Sequence, residues 1–165
     1  MIVLVGFMGA GKTTVGRLVA EALGLPFVDA DTEIEAAAGR SVADIFAASG
    51  EAGFRALEAE VITGLLSGTD AVLALGGGAL GSEPVCSALA GHRVVLLDVS
   101  LEEALARVGA DPSRPMLARP DLPELYAARQ DIYRATADFV VPAGSADPST
   151  VAGQVLAALT PTPGP

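Results

Sequence analysis

The chain has 165 residues, of which 51% are hydrophobic, and this is enough to build one domain with a buried core. Acidic residues outnumber basic ones twenty to ten, so the net charge is −10. That charge argues against a nucleic acid or an anionic membrane as the partner, because little positive charge is left to meet phosphates. Cys86 is the single cysteine, which excludes a disulfide framework and makes the reducing cytoplasm the expected compartment.

Short apolar runs alternate with helical patterns along the chain. The run Ile2–Val5 ends at Gly6 and is typical of a buried parallel strand. Residues 12–23 follow with helical spacing, and Gly24 is the stop signal. Further apolar runs lie at 26–28, 71–75, 93–99 and 139–141. The alternation predicts an α/β fold, a three-layer sandwich in which helices cover both faces of a five-stranded parallel sheet.

Two segments lack this periodicity. Residues 109–123 hold four of the eleven prolines and show no helical or strand pattern, which predicts a mobile lid. Residues 160–165 form a tail that is predicted to fray. Asp147 and Pro148, before the tail, have the spacing of a helix N-cap followed by a proline in the first turn.

Residues 6–13 match the phosphate-binding pattern G-x-x-x-x-G-K-[ST] in full, between a predicted strand and a predicted helix. The glycines let backbone N–H groups turn toward phosphate oxygens, and the helix N-terminus adds partial positive charge. Lys12, the only lysine in the chain, brings a point charge to the β and γ phosphates, and the Thr13 hydroxyl can ligate Mg²⁺. The predicted nucleotide contacts of this loop are Gly9, Ala10, Gly11, Lys12, Thr13 and Thr14.

The composition restricts the class of nucleotide-binding protein. A GTPase switch needs an Asn-Lys-x-Asp element to bind guanine, and this chain contains no asparagine. A motor or a large ATPase needs a longer chain than this one. A small kinase fits the length.

Six motifs occur in one order along nearly the whole chain. They are Gly-x-x-Gly-x-Gly-Lys-Thr-Thr at 6–14, Asp29-Ala-Asp31, Phe54-Arg55, Leu75-Gly76-Gly77-Gly78, Arg114-Pro115 and Arg129-x-x-x-Tyr133. In this combination the chain resembles the shikimate kinase family. The resemblance implies the P-loop nucleoside-monophosphate-kinase fold. It also implies transfer of the γ-phosphoryl group of ATP to the 3-hydroxyl of shikimate in aromatic amino-acid biosynthesis, with Mg²⁺ as cofactor.

The resemblance further implies how a single kinase domain, residues 1–165, is divided. The P-loop core takes 1–28, 68–108 and 137–159, the acceptor-binding region takes 29–67, the lid takes about 109–123, and the frayed tail takes 160–165. ATP and shikimate are the expected partners, while a nucleic acid and a membrane are not. The chain is expected to be a monomer.

Asp29 and Asp31 stand two residues apart at the predicted C-terminal end of a strand, where parallel sheets bind ligands. Strand alternation would point both carboxylates the same way. By resemblance, Asp31 contacts the shikimate hydroxyls and is the base or the orienting group for the attacking oxygen. Asp29 is implied to hold Mg²⁺ through water, next to Thr13. A structural alternative is that Asp31 is the N-cap of a helix beginning near Thr32.

Three glycines and two arginines complete the implied acceptor site. The glycines at 76–78 allow a ligand to approach the backbone closely, although a flexible turn is the alternative. Arg55 is an implied carboxylate ligand, and its alternative is a solvated ion-pair cluster with Glu51 and Glu58. The residues implied to bind shikimate are Asp31, Arg55, Gly76, Gly77, Gly78 and Arg129.

Arg129 stands in the middle of a predicted apolar helical stripe, with residues 125–126 before it and 132–133 after it. An unpaired charge on such a stripe is costly, so a fixed anion is expected to meet it. The resemblance supplies a substrate carboxylate for that role. Arg134, by contrast, has the acidic neighbours of a solvated face.

The lid and the adenine-binding site supply the last contacts that the resemblance implies. Arg114, in the lid, is implied to close onto the β and γ phosphates. Arg107 and Pro148 are implied to flank adenine. Family members often carry an arginine just before that proline, whereas residues 144–147 here are Gly-Ser-Ala-Asp, so looser adenine binding or broader nucleotide selectivity is expected. The candidate catalytic residues are Lys12, Asp31 and Arg114.

Two other functions stay open from the sequence. One is a kinase of another small metabolite on the same fold, such as gluconate, which differs in whether the acceptor is a carboxylated ring. The other is a shikimate-kinase-like protein that binds nucleotide without turnover. The intact set Lys12, Thr13, Asp29, Asp31 and Arg114 argues against the second.

Overall fold

The computed structural model describes residues 1–109 and 120–160. Five parallel strands form one sheet in the order β2-β3-β1-β4-β5, flanked by helices. The elements are β1 (Ile2–Val5), α1 (Lys12–Leu23), β2 (Phe27–Asp29), α2 (Ala30–Ala38), α3 (Val42–Leu66), β3 (Val72–Ala74), a 3-10 turn (Ala79–Gly81), α4 (Glu83–Ala88), β4 (Arg93–Asp98), α5 (Leu101–Val108), α6 (Leu122–Thr136), β5 (Phe139–Pro142) and α7 (Pro148–Leu159). The predicted fold class and strand count are confirmed.

The central strand explains why its sequence is an unbroken apolar run. β1 lies between β3 and β4, and all four of its residues are buried. Ile2 pairs in register with Val72 on one side and with Arg93 on the other. A strand with neighbours on both edges and helices on both faces needs apolar side chains at every position rather than an alternation.

Local capping signals set several helix ends as the sequence predicts. α1 ends at Gly24, which has φ 65° and donates its N–H to the carbonyls of Ala20 and Glu21. α7 begins after Asp147, whose side chain accepts from two backbone N–H groups, with Pro148 in the first turn. These signals involve residues only a few positions apart, so they can be recognised without knowledge of the tertiary structure.

α2 and α3 form a small hydrophobic cluster of their own beside the sheet. Ile34, Ile45 and Phe54 are its buried members, and Phe46 stacks on Phe54 with ring centroids 4.5 Å apart. α3 changes direction at Gly50, which has φ 67° and ψ −177°, a conformation that glycine tolerates best. This cluster fixes the part of α3 that carries Arg55.

The segment predicted as a lid has a helical end. α6 begins at Leu122 with Pro123 in its first turn, where a missing N–H costs no hydrogen bond, so residues 122–123 are helical rather than aperiodic. Residues 110–119, with Arg114, lie outside the described residues, and so do residues 161–165 of the predicted tail. Among the helices of the described ranges, none is long and apolar enough to cross a bilayer.

Candidate active site

The candidate site lies at the C-terminal edge of the sheet. The P-loop follows β1, Asp29 ends β2, and the three glycines at 76–78 come two residues after β3. Because β2, β3 and β1 are adjacent and parallel, these three loops emerge side by side. Ligands of open parallel sheets bind at this edge.

The P-loop has a conformation that glycine makes possible. Gly9 and Gly11 have φ 76° and 86°, and a Cβ on Gly9 would lie 2.6 Å from the Ala104 carbonyl oxygen. The Lys12 Nζ donates to the carbonyls of Gly6 at 2.7 Å and Phe7 at 3.1 Å. The lysine is therefore held over the loop where phosphates would lie, and α1 begins at the same residue.

Thr13, Asp29 and Asp31 are joined by hydrogen bonds. The Thr13 hydroxyl donates to Asp29 Oδ2 at 2.8 Å, and Asp29 Oδ1 accepts from the Asp31 backbone N–H at 3.1 Å. Asp29 is thus the N-cap of α2, which begins at Ala30. The alternative that Asp31 caps this helix is wrong, because the helix begins two residues earlier than expected and Asp29 takes the cap.

Both aspartates nevertheless line one cavity of about 440 Å³ together with Lys12 and Thr13. Strand alternation does not explain why both carboxylates line this cavity, since Asp31 belongs to α2. The capping turn brings the two side chains together instead. The Asp31 carboxylate faces Gly76, where an added Cβ would lie 3.0 Å from its Oδ1.

Arg55 is held by a buried carboxylate, that of Glu58, which the alternative interpretation of the sequence assigns to a solvated cluster. Glu58 is 1% exposed, and its Oε2 accepts from Arg55 Nη1 at 2.5 Å. Glu51 lies 3.8 Å from the same guanidinium and is exposed. The alternative of a solvated ion-pair cluster is therefore wrong for Glu58. The loop of three glycines at 76–78, called the glycine loop below, covers this carboxylate, and a Cβ on Gly76 would lie 3.2 Å from Glu58 Oε1.

Burial raises the pKa of Glu58 above its ordinary value. The hydrogen bond and charge of Arg55 lower this pKa, the charge of Asp31 raises it, and the charge of Arg129 lowers it. Glu58 therefore lies within the electrostatic reach of three predicted site residues. The signal in the sequence was its position three residues after Arg55, which places both on one helix face.

The raised pKa of Glu58 predicts a pH-dependent stability. The folded chain binds this proton more tightly than the unfolded chain, so the contribution of Glu58 to folding falls as pH rises from the ordinary value of 4.5 through the folded pKa. We expect Glu58→Gln to remove that fall in urea unfolding measured across this pH window. Glu51→Gln, on the same helix but exposed, is the control and should follow the wild-type curve. A Glu58→Gln curve parallel to wild type would contradict the assignment.

The glycine loop after β3 brings both predicted acceptor arginines together. A Cβ on Gly77 would lie 3.5 Å from Arg129 Nη1, and one on Gly78 would lie 2.7 Å from Arg55 Cζ. Close packing therefore explains Gly78 without the flexible-turn alternative, since a side chain there would clash with the Arg55 guanidinium, whereas a Cβ on Gly77 would make only an ordinary contact. Arg129 also lies 5.7 Å from the centroid of the Phe7 ring, which connects it to the P-loop.

The apolar stripe on α6 is less regular than the sequence predicts. Tyr133 is buried, but Ile132 is 38% exposed and Arg129 is only half-buried. Arg129 lines the cavity between α3, α6 and the glycine loop rather than the core. Arg134 is exposed, as predicted, and pairs with Asp98 at 3.0 Å.

Arg107 connects the P-loop to the loop before α7. Its guanidinium donates to the Gly9 carbonyl at 3.1 Å, to the Ala143 carbonyl at 2.6 Å and to the Gly144 carbonyl. Arg107 and Pro148 line one cavity of about 240 Å³ with several small apolar residues. The two residues implied to flank adenine thus lie around a single space beside the P-loop.

The cavity of about 440 Å³ at the P-loop, called the phosphate cavity below, and a second cavity, called the acceptor cavity, share one lining residue. The acceptor cavity, about 670 Å³, is lined by Arg55, Arg129 and Tyr133 among others, and Gly77 lines it and the phosphate cavity alike. Gly77 therefore borders both cavities. Of the predicted site residues, Arg114 alone lies outside the described part of the chain.

The P-loop lies at one edge of a parallel sheet, and a second cavity beside it carries two arginines. Together these features are typical of a P-loop kinase that phosphorylates a small anionic acceptor. The sequence profile of the family described as shikimate kinase matches residues 8–160. The chain belongs to the shikimate kinase family.

Individual relatives are similar over almost their whole length. The shikimate kinase of Mycobacterium bovis (strain BCG) is 45% identical over 161 residues, which cover 95% of this chain and 92% of the relative. A shikimate kinase from Acinetobacter baumannii, solved in complex with shikimate, has 39% identity and a TM-score of 0.90, covering 94% of this chain and 89% of its own. The shikimate kinase from Aquifex aeolicus has 36% identity and a TM-score of 0.86, covering 96% and 95%.

Proposed function

We propose that this protein transfers the γ-phosphoryl group of ATP to the 3-hydroxyl of shikimate, giving ADP and shikimate 3-phosphate. The observation that carries the proposal is the juxtaposition of Arg55 and Arg129 around Gly77 and Gly78, at the point where the acceptor cavity meets the P-loop. Membership of the shikimate kinase family, on 45% identity to a relative, supports the same acceptor.

The acceptor cavity suits a carboxylated ring. Two guanidinium groups beside backbone without side chains can bind a carboxylate through charge-assisted hydrogen bonds. Asp31, on the phosphate side of the same glycine loop, supplies an acceptor for a ring hydroxyl. Glu58 keeps Arg55 in place, so the carboxylate and hydroxyl contacts are set at a fixed separation.

On the phosphate side, Lys12 is the group that meets the negative charge. Its Nζ exchanges the carbonyls of Gly6 and Phe7 for the β and γ phosphate oxygens when ATP binds. The positive charge then stabilises the leaving ADP oxygen and the transferring group. Arg114 is proposed to add a second positive charge on these phosphates.

Mg²⁺ is the metal that the oxygens of Thr13 and Asp29 fit. The hydroxyl and the carboxylate lie 2.8 Å apart at the P-loop, and both are hard oxygen donors. No cluster of three or more acidic, histidine or cysteine side chains that could hold a metal occurs within residues 1–109 and 120–160. That suits a cation bound mainly by phosphate oxygens and water, with Asp29 reached through water. When bound, Mg²⁺ neutralises charge on the phosphates.

The reaction then needs one proton transfer. Asp31 accepts the hydrogen bond of the 3-hydroxyl and holds or removes its proton while the oxygen attacks the γ-phosphorus atom. The bond from γ-phosphorus to the bridging oxygen breaks, and ADP leaves with the electron pair. Arg55 and Arg129 keep the ring from rotating during the transfer.

ATP is proposed to place its base between Arg107 and Pro148. The apolar walls of that cavity suit a purine face, and the missing arginine before Pro148 leaves Arg107 as the main charged contact there. The use of ATP together with the free Cys86 favours the cytoplasm as the compartment. A monomer is proposed as the working unit.

A coupled ADP-release assay tests the function against its rivals. Shikimate, quinate, gluconate and nucleoside monophosphates are offered as acceptors in turn, with ATP and Mg²⁺. We expect shikimate to give the highest kcat/KM. Preference for gluconate would support the other small-metabolite kinase, and nucleotide binding without ADP release on any acceptor would support the non-catalytic relative.

Two arginines on α6 test where the carboxylate binds. We expect Arg129→Ala to weaken shikimate binding by about 2–4 kcal/mol, because a charge-assisted bidentate pair is lost. Arg134→Ala is the matched control and should change it by less than about 0.5 kcal/mol, since Arg134 is exposed and pairs with Asp98. Calorimetric titration of shikimate measures both. Equal losses, or a larger loss at Arg134, would mean that the carboxylate lies elsewhere.

A further inference from the structure

The motif Arg129-x-x-x-Tyr133 contains a tyrosine to which the proposed function assigns no role. Tyr133 is 2% exposed and lies one helical turn after Arg129 on α6. Its hydroxyl donates a hydrogen bond to the carbonyl of Gly77, 56 residues away in sequence. A buried phenol that reaches the glycine loop of the acceptor cavity is positioned to act on that loop.

The three glycine carbonyls of the loop are held in different ways. The Gly76 carbonyl accepts from the Ala79 N–H at 3.1 Å, and the Gly78 carbonyl accepts from the Gly81 N–H at 3.0 Å. The Gly77 carbonyl accepts from a side chain on another element, Tyr133. Because glycine restricts its own backbone little, the hydroxyl supplies a constraint on the Gly77–Gly78 peptide that the loop sequence does not.

This peptide lies between the two acceptor arginines. Its carbonyl belongs to Gly77, beside Arg129, and its N–H belongs to Gly78, beside Arg55. In a trans peptide the C=O and the N–H point in opposite directions. Fixing the carbonyl toward Tyr133 therefore also fixes the direction of the Gly78 N–H, and both glycines line the acceptor cavity.

We propose that Tyr133 is a positioning residue for the acceptor: its hydroxyl fixes the Gly77–Gly78 peptide between Arg55 and Arg129, so that the loop presents one orientation to the substrate carboxylate. The proposal rests on the proposed function, which supplies that carboxylate. Burial raises the pKa of Tyr133 to about 12, so its hydroxyl keeps the donor proton at neutral pH, although Arg129 and Arg55 lower this pKa.

Tyr133→Phe tests the proposal, with Tyr126→Phe as the matched control. Both changes remove one phenolic oxygen from α6, and the Tyr126 hydroxyl donates instead to the Val99 carbonyl at 2.6 Å. We expect Tyr133→Phe to raise the Kd of shikimate about tenfold, because the peptide loses its donor and samples a second orientation. Tyr126→Phe should leave this Kd within about twofold, and ATP binding should change by less than about twofold in both.

The steady-state constants distinguish positioning from a general loss of structure. Tyr133→Phe should raise the KM for shikimate while kcat falls less than about threefold, since the Gly77–Gly78 peptide lies between the two arginines proposed to bind the carboxylate. A variant that was merely destabilised would lose ATP binding and Tm together with shikimate binding. Parallel losses of that kind, or a Kd equal to that of Tyr126→Phe, would overturn the proposal.

Measurements on the wild-type protein distinguish failure of the proposed function from failure of the role given to Tyr133. They also test the proposal if Tyr133→Phe does not fold. Absence of shikimate binding to wild type overturns the proposed function, whereas binding to wild type with no effect of Tyr133→Phe overturns only the role of Tyr133. The chain has two tyrosines, so ring-fluorinated tyrosine gives two NMR signals, which Tyr126→Phe assigns. Shikimate should shift the Tyr133 signal in the wild-type protein, and an unmoved signal would contradict the proposal.

Discussion

Lys12→Ala should lower the rate of phosphoryl transfer by at least a few hundredfold while the protein stays folded. Lys12 is the only lysine, and its Nζ already lies over the P-loop carbonyls at 2.7 and 3.1 Å. Removing a preorganised donor from developing negative charge costs roughly 3–4 kcal/mol in the barrier, which is a few hundredfold or more in kcat. The coupled ADP-release assay with shikimate measures kcat, and thermal unfolding checks the fold.

Arg17→Ala is the control for that experiment. Arg17 is an exposed cation on the same helix, 5.2 Å from the centroid of the Phe27 ring, and it does not line the phosphate cavity. Its removal should leave kcat unchanged within about twofold. Ordinary turnover by folded Lys12→Ala protein would show that the loop does not bind the transferring phosphate.

Asp31→Asn should reduce shikimate-dependent kcat by at least about a hundredfold, the contribution usual for a general base or a group that orients the nucleophile. The substitution keeps the shape of the side chain beside Gly76 and removes its negative charge. ATP affinity should change little, because Thr13 and Asp29, rather than Asp31, form the hydrogen-bonded pair at the P-loop. Single-turnover kinetics and nucleotide titration measure the two effects separately.

Glu33→Gln is a suitable control on the same helix, since Glu33 is exposed and lies outside the two site cavities. It should retain wild-type kcat within about twofold. If Asp31→Asn instead loses nucleotide affinity and keeps acceptor turnover, the roles of Asp29 and Asp31 are reversed.

Local patterns were sufficient for the elements that support the site. β1, the P-loop and α1 are contiguous, so an apolar run, a glycine pattern and helical spacing together predict them. The family motifs, carried residue by residue, also predicted that Asp31, Arg55 and Arg129 share a site. The structure places all three around the glycine loop after β3.

The alternative interpretations that the structure contradicts depended on burial or on the end of an element. Glu58 had the sequence neighbours of an exposed ion pair, but the loop at 76–78 covers it, and that loop follows a different strand. Asp31 had the spacing of a strand residue or an N-cap, but Asp29 takes the cap and Asp31 falls in the first turn of α2. Two residues of difference in a boundary change which side chain satisfies the free N–H groups.

The sequence by itself determined the α/β class, the phosphate-binding loop and the identity of the charged groups, because these depend on hydrophobic period, glycine spacing and residue type over short distances. The tertiary structure alone decided which groups meet: the carboxylate of Glu58 under Arg55, the hydroxyl of Tyr133 on Gly77, and the single residue where the two cavities join. The Tyr133–Gly77 hydrogen bond joins residues that are distant in sequence, and Glu58, although only three residues from Arg55, is covered by a loop that follows a different strand. These long-range contacts depend on how the sheet order brings loops to one edge, which no local pattern encodes.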